Sequence, residues 1–387
     1  MRRFFLLLLL CPALARFSPA QSPPIQWQVD LAQYGYRLPT NKEAVLGFYQ
    51  FATDTAVIML EHDVIVAFPV PMQLQERPKD KNSLIPRGVR LVALDLGTGG
   101  LEWQADFSVA AGGYFLWRCE GAGFALRGPE AITIYSPEGK RLNSVPSNAT
   151  SIEVSPSGQT VAAVAAINPK NLANTERYLF ATSLLHPGPA KPIRAPVSSF
   201  GASDSALAFT QQRWERAADR KAHPKWHSTL TVAIAGSTAE ILASEHLLRI
   251  GGFVSESRFL VSENLWPKFT WMLIDVGGGK ISELHTAKNE FLFLAPGGND
   301  EIFAMARVQQ NGILEWIDIL ARPQAEHITI FRARDFRPIF DVALKPLPPV
   351  AAKAALSRDG RRLTVFQGTS VITYAVPEAE QKSPQQE

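Results

Sequence analysis

A short pattern recurs along this chain and limits the folds open to it. Each copy has an apolar strand end, a polar turn of small residues and a second apolar strand. The seven copies span residues 51–58, 120–126, 154–161, 202–208, 254–260, 296–302 and 356–363. Val57 and Leu363 are the first apolar residues larger than Ala after the first and last turns, and the six steps between them average 51 residues. Repetition at this interval predicts stacked copies of one supersecondary unit.

A second hairpin follows most of the turns. Its strands are rich in Val, Ile, Phe, Trp and Thr, which favour extended structure. The clearest cases are Val89–Asp106, Ala131–Val145, Leu230–Leu242, Trp271–Leu284 and Ile328–Val342. Two hairpins per repeat predict an all-β fold, a single seven-bladed β-propeller of four-stranded antiparallel blades, because such a blade needs about 40–50 residues. The further apolar stretch 313–320 makes an eighth blade the alternative. Residues 211–222 are compatible with one or two helical turns.

The last repeat lacks one strand. Residues 354–357, 362–368 and 370–376 supply three strands, while the spare apolar segment 25–31 precedes the first repeat. We therefore expect 25–31 to be the outer strand of the last blade, which removes an open sheet edge. A disordered lead-in is the alternative.

The first twenty residues have the pattern of a secretory signal peptide. A basic start at Arg2 and Arg3 precedes an apolar run, and small residues allow cleavage after Ala15 or Ala20. This predicts a propeller domain over 21–377 in the periplasm or outside the cell, with no membrane insertion after cleavage and a disordered polar tail over 378–387. An uncleaved anchor is the alternative.

The signal segment also accounts for the basic charge. The chain has 39 Lys and Arg against 36 Asp and Glu, and residues 1–20 contain three Arg and no acid. Cleavage after Ala20 thus leaves 36 residues of each sign, which argues against nucleic-acid binding. Cys11 departs with the same segment, so Cys119 remains alone, without an internal disulfide, and we expect a buried, inert thiol.

Two stretches carry a resemblance to known propellers. Residues 354–365 followed by 370–374 resemble a blade of the WD-repeat and YVTN-type propellers. Residues 92–103 are similar to the repeat of quinoprotein-type propellers. The second resemblance implies that Trp103 docks between neighbouring blades, as a packing residue. It does not carry quinone binding to this chain, because that would need several such repeats.

Insertions are concentrated at equivalent places in the repeats. Segments 69–88, 168–176, 211–228 and 264–268 lie mainly between the second and third strands of a blade, so they emerge on one face, where binding loops are common. Basic and aromatic residues in three of them suit contacts to a protein, a glycan or an anionic group. The predicted binding residues are Arg77, Lys79, Arg213, Trp214, Arg216, Arg220, His223, Trp226, His227 and Trp266. A merely solvated set of loops is the alternative.

No combination of residues points to catalysis. His223 and His227 are four apart, but Pro224 argues against a shared helical face, so no metal site is predicted. The sequence predicts a monomeric, non-enzymatic scaffold without a cofactor that binds a protein or a glycan. The alternatives are a hydrolase or lyase with its site at the central channel, by analogy of fold, and a quinone-dependent dehydrogenase.

Overall fold

The structure is a computed structural model. It describes residues 24–38, 55–70, 86–110, 115–147, 149, 151–166, 177–187, 192–215, 225–265, 268–310, 323–345 and 352–377. No helix among these residues is long and apolar enough to cross a membrane.

The described residues form seven antiparallel sheets of four strands each, which confirms the predicted seven-bladed β-propeller. Strands β2 to β25 make six blades of four consecutive strands, and β26 to β28 join β1 in the seventh. In chain order, the strands are β1 Ile25–Asp30; β2 Ala56–Met59, β3 Asp63–Pro69, β4 Pro86–Asp95, β5 Leu101–Ala110; β6 Leu116–Cys119, β7 Gly123–Arg127, β8 Ala131–Tyr135, β9 Arg141–Pro146; β10 Ile152–Val154, β11 Thr160–Ala166, β12 Arg177–Ser183, β13 Ile193–Ala195; β14 Val197–Ala202, β15 Ala206–Glu215, β16 Lys225–Ile234, β17 Ser237–Ser244; β18 Leu247–Phe253, β19 Arg258–Leu265, β20 Lys268–Asp275, β21 Lys280–His285; β22 Glu290–Leu294, β23 Ile302–Gln310, β24 Pro323–Arg332, β25 Arg337–Leu344; β26 Lys353–Leu356, β27 Arg362–Gln367 and β28 Ser370–Ala375.

Hydrophobic packing between blades holds the ring together. The described residues contain seven apolar clusters, and each combines side chains of two neighbouring blades. The cluster between the seventh and first blades, for example, joins Val371 and Phe366 to Val92 and Leu94. A single sheet cannot cover both of its faces, so stacking on each side is what removes this surface from water.

The first strand of each blade lies nearest the ring axis. These inner strands contact one another from blade to blade, as β26, β2 and β6 do on one side of the ring. Because the strands alternate in direction, turns between the first and second strands open on one face, here called the turn side. Connections between the second and third strands, and from one blade to the next, lie on the opposite face, here called the loop side.

The N-terminal strand closes the ring as predicted. Strand β1 pairs antiparallel with β28, with Ile25 opposite Tyr374 and Asp30 opposite Ser370. A 3-10 helix, Leu31–Tyr34, follows at once. The predicted strand therefore ends one residue early.

Trp27 extends this closure from the last blade to the first. Its indole N–H donates a hydrogen bond of 2.9 Å to the carbonyl of Leu96, in the turn between β4 and β5. The side chain is buried, and a Cβ on Gly99 would come within 2.9 Å of its ring. The strand therefore holds two blades at once.

Two local predictions need correction. The sequence predicts the first turn motif at 51–58, but the equivalent turn of the first blade is Leu60–Asp63, where the Leu60 N–H donates to the Asp63 carbonyl. Its sequence Leu-Glu-His-Asp lacks the Gly and Ser that mark the other turns. The suggested helical turn over 211–222 is wrong for 211–215, because β15 continues to Glu215 and pairs with β16. The stretch 313–320 lies outside the described residues.

Candidate functional site

A central channel runs between the inner strands, and a cavity lies at each of its two ends. The loop-side cavity is lined by the beginnings of inner strands, and the turn-side cavity by their ends and the turns that follow. Leu116, Leu294, Ala295 and Pro296 line both cavities. The two mouths therefore share one channel wall but differ in chemistry.

The loop-side mouth is a largely apolar cavity of about 540 Å³. Val57, Phe115, Leu116, Phe293 and Val308 contribute to its walls. The Phe293 side chain is 58% exposed although it belongs to an inner strand. A large aromatic ring left open in a concave apolar wall is typical of a binding site.

Four ionisable side chains line this apolar mouth: Arg127, Glu153, Glu326 and Lys353. Burial raises the pKa of Glu153 to about 7. Burial also lowers the pKa of Lys353 and of Arg127, and the Glu326 carboxylate opposes the shift at Lys353. A small number of partly buried charges in an apolar cavity can orient a bound ligand.

Glu326 is the best-anchored of these groups. It is buried, and its carboxylate accepts a 2.7 Å hydrogen bond from the backbone N–H of Ala352. Burial raises the pKa of Glu326, and that hydrogen bond opposes the shift. The carboxylate thus holds the start of the seventh blade against the sixth.

The turn-side mouth is a polar cavity of about 320 Å³. The turns of the second, fourth, fifth and sixth blades bring Glu120, Asp204, Glu256 and Asp300 to it, together with Arg118 and Arg358. Glu120 forms ion pairs with both guanidinium groups. Its Oε1 lies 2.7 Å from Arg358 Nη1 and 3.2 Å from Arg118 Nη2. Ser155 Oγ donates to Asp204 Oδ1 at 2.7 Å, and the Asp204 N–H donates to Glu256 Oε2 at 2.7 Å.

These turn-side carboxylates were not among the predicted site residues, because Asp and Glu are scattered along the sequence. The signal available was positional. Glu120, Asp204, Glu256 and Asp300 each belong to a recurring turn motif, and equivalent turns of a ring must converge on its axis. Burial, with the nearby Asp204 and Glu120 carboxylates, raises the pKa of Glu256.

The predicted loop-side binding residues are described only in the fourth blade. There β15 and β16 form a long hairpin, in which Arg213 lies opposite His227, and Trp214 opposite Trp226. Arg213 and His227 are exposed, and Trp226 is half-buried. The structure thus brings together four of the ten predicted residues. Arg77, Lys79, Arg216, Arg220, His223 and Trp266 lie outside the described residues.

The connections between second and third strands belong to the loop side. In the fourth blade, this connection is shorter than the sequence predicts. Only 216–224 separates β15 from β16, because 211–215 and 225–228 are strand residues. Arg90, on β4, makes a bidentate ion pair with Asp106, with Nε–Oδ1 and Nη2–Oδ2 distances of 2.6 and 2.9 Å. That guanidinium therefore holds β4 to β5.

Two residues have the structural roles predicted for them. Trp103 donates its indole N–H to the Pro137 carbonyl at 2.8 Å and stacks on Phe124, so it docks the first blade on the second. Cys119 is a buried, unpaired thiol on an inner strand, and burial raises its pKa to about 11. Such a thiol is largely protonated at neutral pH and therefore a poor nucleophile.

Among the residues that the structure describes, no group of three or more His, Cys, Asp and Glu side chains is placed to hold a metal ion.

No protein-family model and no curated protein matches the sequence. Similar solved structures include the WD40 domain of Toxoplasma gondii coronin, which is 10% identical with a TM-score of 0.48, the match covering 94% of this chain and 90% of that one. An uncharacterized protein of Listeria monocytogenes is 9% identical with a TM-score of 0.49, over 86% and 97% of the two chains. The Pan2 WD40 domain of Neurospora crassa is 7% identical with a TM-score of 0.45, over 91% and 95%. These likenesses concern the fold alone, and the seven four-stranded blades themselves make this chain a β-propeller.

Proposed function

We propose that this protein is an exported, non-enzymatic scaffold that binds a partner protein on its loop side. The observation that carries the proposal is the loop-side mouth, where Phe293 stands open in an apolar cavity of about 540 Å³. Nonpolar side chains of a partner would enter this cavity and remove the ring from water. Central aromatic anchors in such pockets supply much of the affinity of protein interfaces.

The surroundings of the mouth favour a protein over a glycan. Its walls are mostly aliphatic and aromatic, whereas a sugar needs many polar partners for its hydroxyl groups. The fourth-blade hairpin stands on the same side and presents Arg213 and His227. Apolar anchors surrounded by a polar rim are the usual anatomy of a protein interface.

Peptide selection on the immobilised protein tests this proposal. We expect peptides with a large apolar residue to be enriched, and Phe293→Asp to weaken their binding at least tenfold, about 1.4 kcal/mol. Leu142→Asp is the matched control, since Leu142 is 56% exposed on the outer strand β9 of another blade. Equal binding to both variants, or a failure to enrich any peptide, would contradict a site at this mouth; enrichment of sugars on a glycan array would favour the glycan alternative.

Export is a separate part of the proposal and rests on residues 1–20. Expression in a bacterium, followed by fractionation and mass spectrometry of the purified chain, determines its N-terminus. A periplasmic or secreted chain that begins at Arg16 or Gln21 supports cleavage. A cytoplasmic chain that retains Arg2 and Arg3 rules against it.

The second candidate is a hydrolase or lyase acting at the central channel. It is favoured by the carboxylates that converge at the turn-side mouth, one of which, Glu256, has a raised pKa. Perturbed carboxylates in a cleft are candidates for acid–base work. Turnover of chromogenic esters or glycosides that Glu256→Gln abolishes would establish this activity, and turnover that the substitution leaves unchanged would exclude Glu256 from it.

A further inference from the structure

We propose that the loop-side mouth binds the C-terminal end of its partner protein, with the terminal carboxylate at Lys353 and the last apolar side chains against Phe293. Such binding rests on the protein-binding function proposed for the same mouth, and it specifies which part of the partner enters.

Lys353 is the charged group best placed to meet a ligand in this mouth. It begins the inner strand β26, lines the cavity and is half-buried. Among the described residues, its ammonium group makes no hydrogen bond and no ion pair, and the nitrogen itself is accessible. A half-buried ammonium group without a partner is costly, and a carboxylate from a ligand would supply one.

The neighbouring carboxylate of Glu326 is already engaged. It accepts hydrogen bonds from the backbone N–H of Ala352 at 2.7 Å and from Gln367 Nε2 at 3.5 Å. Burial lowers the pKa of Lys353, and the charge of Glu326 opposes that shift without an ion pair between the two. The donors of the Lys353 ammonium group are therefore left for a ligand.

The register of the inner strands places Lys353 beside Phe293. The N–H of Leu356, on β26, donates a 2.9 Å hydrogen bond to the carbonyl of Pro296, just after β22, where the two segments run parallel. Lys353 and Phe293 each precede this contact by three positions, so they lie at about the same depth on neighbouring blades. Both line the cavity. A peptide C-terminus, which has a carboxylate next to its last side chain, can contact both.

The charge of the mouth favours an anion. Its cations are Arg127 and Lys353, and its acids are Glu153 and Glu326. Burial raises the pKa of Glu153 to about 7, so this carboxyl is largely protonated in mildly acidic solution. Two cations then face one carboxylate, and the excess positive charge attracts a negatively charged group.

The shape of the mouth favours the end of a chain over an internal segment. Inner strands of several blades surround the cavity, and its volume of about 540 Å³ is that of a pocket for a small ligand. An internal segment would have to enter and leave as a loop, whereas a chain end enters as a single strand. An N-terminus would bring an ammonium group next to Lys353, where like charges repel.

Two random heptapeptide libraries test the proposal, one displayed with free C-termini and one attached through its C-termini. We expect the immobilised protein to enrich peptides with apolar C-terminal residues from the first library only. Equal enrichment from both libraries, or enrichment from the second alone, would overturn the choice of a C-terminus and leave the protein-binding function intact. Enrichment from neither library would contradict the protein-binding function and, with it, the binding of a C-terminus.

Lys353→Met tests which residue receives the carboxylate. The peptide most enriched from the first library is synthesised with a C-terminal carboxylate and with a C-terminal amide, and calorimetry measures the affinity of each. Lys353→Met should weaken binding of the carboxylate form about tenfold, as expected for the loss of one charge-assisted hydrogen bond, and leave the affinity for the amide form unchanged. An equal loss for both forms, or no loss for either, would contradict a contact between Lys353 and the carboxylate.

Lys268→Met is the matched control. Lys268 is exposed at the start of β20, on the loop side, and does not line the cavity. This variant should bind both forms of the peptide as the wild-type protein does. Lys353→Met should keep the melting temperature of the wild-type protein, because the ammonium group has no hydrogen bond to lose.

Discussion

Two tryptophans make the same contact at successive blade boundaries. Trp27 of the seventh blade and Trp103 of the first each donate an indole N–H to a turn carbonyl of the next blade. Each ring also lies against a glycine with positive φ, Gly99 or Gly139. The ring closure therefore uses the same device as an ordinary blade boundary, and it depends on a glycine that lets the indole approach.

Replacing Gly99 measures this contact. Gly99→Ala combines an unfavourable φ of +73° with a Cβ 2.9 Å from the Trp27 ring. Gly236→Ala is the control, since its φ is +88° but no atom lies within 4 Å of the added Cβ. We expect Gly236→Ala to cost about 1–2 kcal/mol from the backbone conformation alone. Gly99→Ala should cost clearly more in chemical denaturation, and equal losses would mean that the indole moves aside without penalty.

Glu153 gives the stability of the protein a pH dependence. Its pKa is about 7 in the folded protein against 4.5 in the unfolded chain, so the folded state holds the proton more tightly. Stability from this group is therefore present below pH 4.5 and is lost as the pH rises to 7, by up to about 3 kcal/mol. Glu153→Gln stays neutral, so its advantage over wild type should grow between pH 4.5 and 8 in urea denaturation. Parallel pH profiles of the two proteins would show that Glu153 ionises without penalty.

At the scale of the element, the six-residue strand β1 stabilises two blades. It covers the outer edge of β28, and through Trp27 it also packs on the first blade. Without β1, the N–H and C=O groups of the β28 edge would be open to another chain.

Removal of residues 21–30 should lower the melting temperature by many degrees and promote oligomers on size-exclusion chromatography. The loss combines a buried Trp, worth about 3–5 kcal/mol, with the hydrogen bonds of one strand. Removal of 378–387 serves as the control, and we expect it to leave the melting temperature unchanged. An unaltered transition after loss of 21–30 would mean that the seventh blade is stable with three strands.

The sequence predicts elements well where turn chemistry is local. Six of the seven turn motifs and the closing strand could be predicted, because Gly, Ser and Asp at a turn act on their own backbone. The turn of the first blade could not, since the tight turn at Glu61 and His62 is imposed by the pairing of β2 with β3. The sequence does not predict the turn-side carboxylates for a related reason. Their proximity depends on how the ring closes, and a local sequence pattern does not indicate which turns face each other.

At the scale of the whole molecule, the ends of the propeller domain are adjacent. The Ala375 N–H donates a 2.9 Å hydrogen bond to the Pro24 carbonyl, so a short linker can join the two ends. We expect a circular permutant, with Val376 linked to Pro24 and new ends between Leu38 and Thr55, to keep the circular dichroism spectrum and the melting temperature of the original. An unfolded permutant would show that the connection between β1 and the first blade has to be continuous.

The same closure dictates an order of assembly. Gln28 and Ser370 are 342 positions apart, and bringing such distant segments together costs about 5 kcal/mol of chain entropy. Pairing neighbouring strands of a blade costs far less chain entropy. Six blades can therefore form before β1 pairs with β28. We therefore expect β1, the first of the described strands, to be the last to pair. A chain interrupted before β28 has no strand for β1 to pair with, so we expect its N-terminal segment to be cleaved by proteases faster than that of the full-length protein.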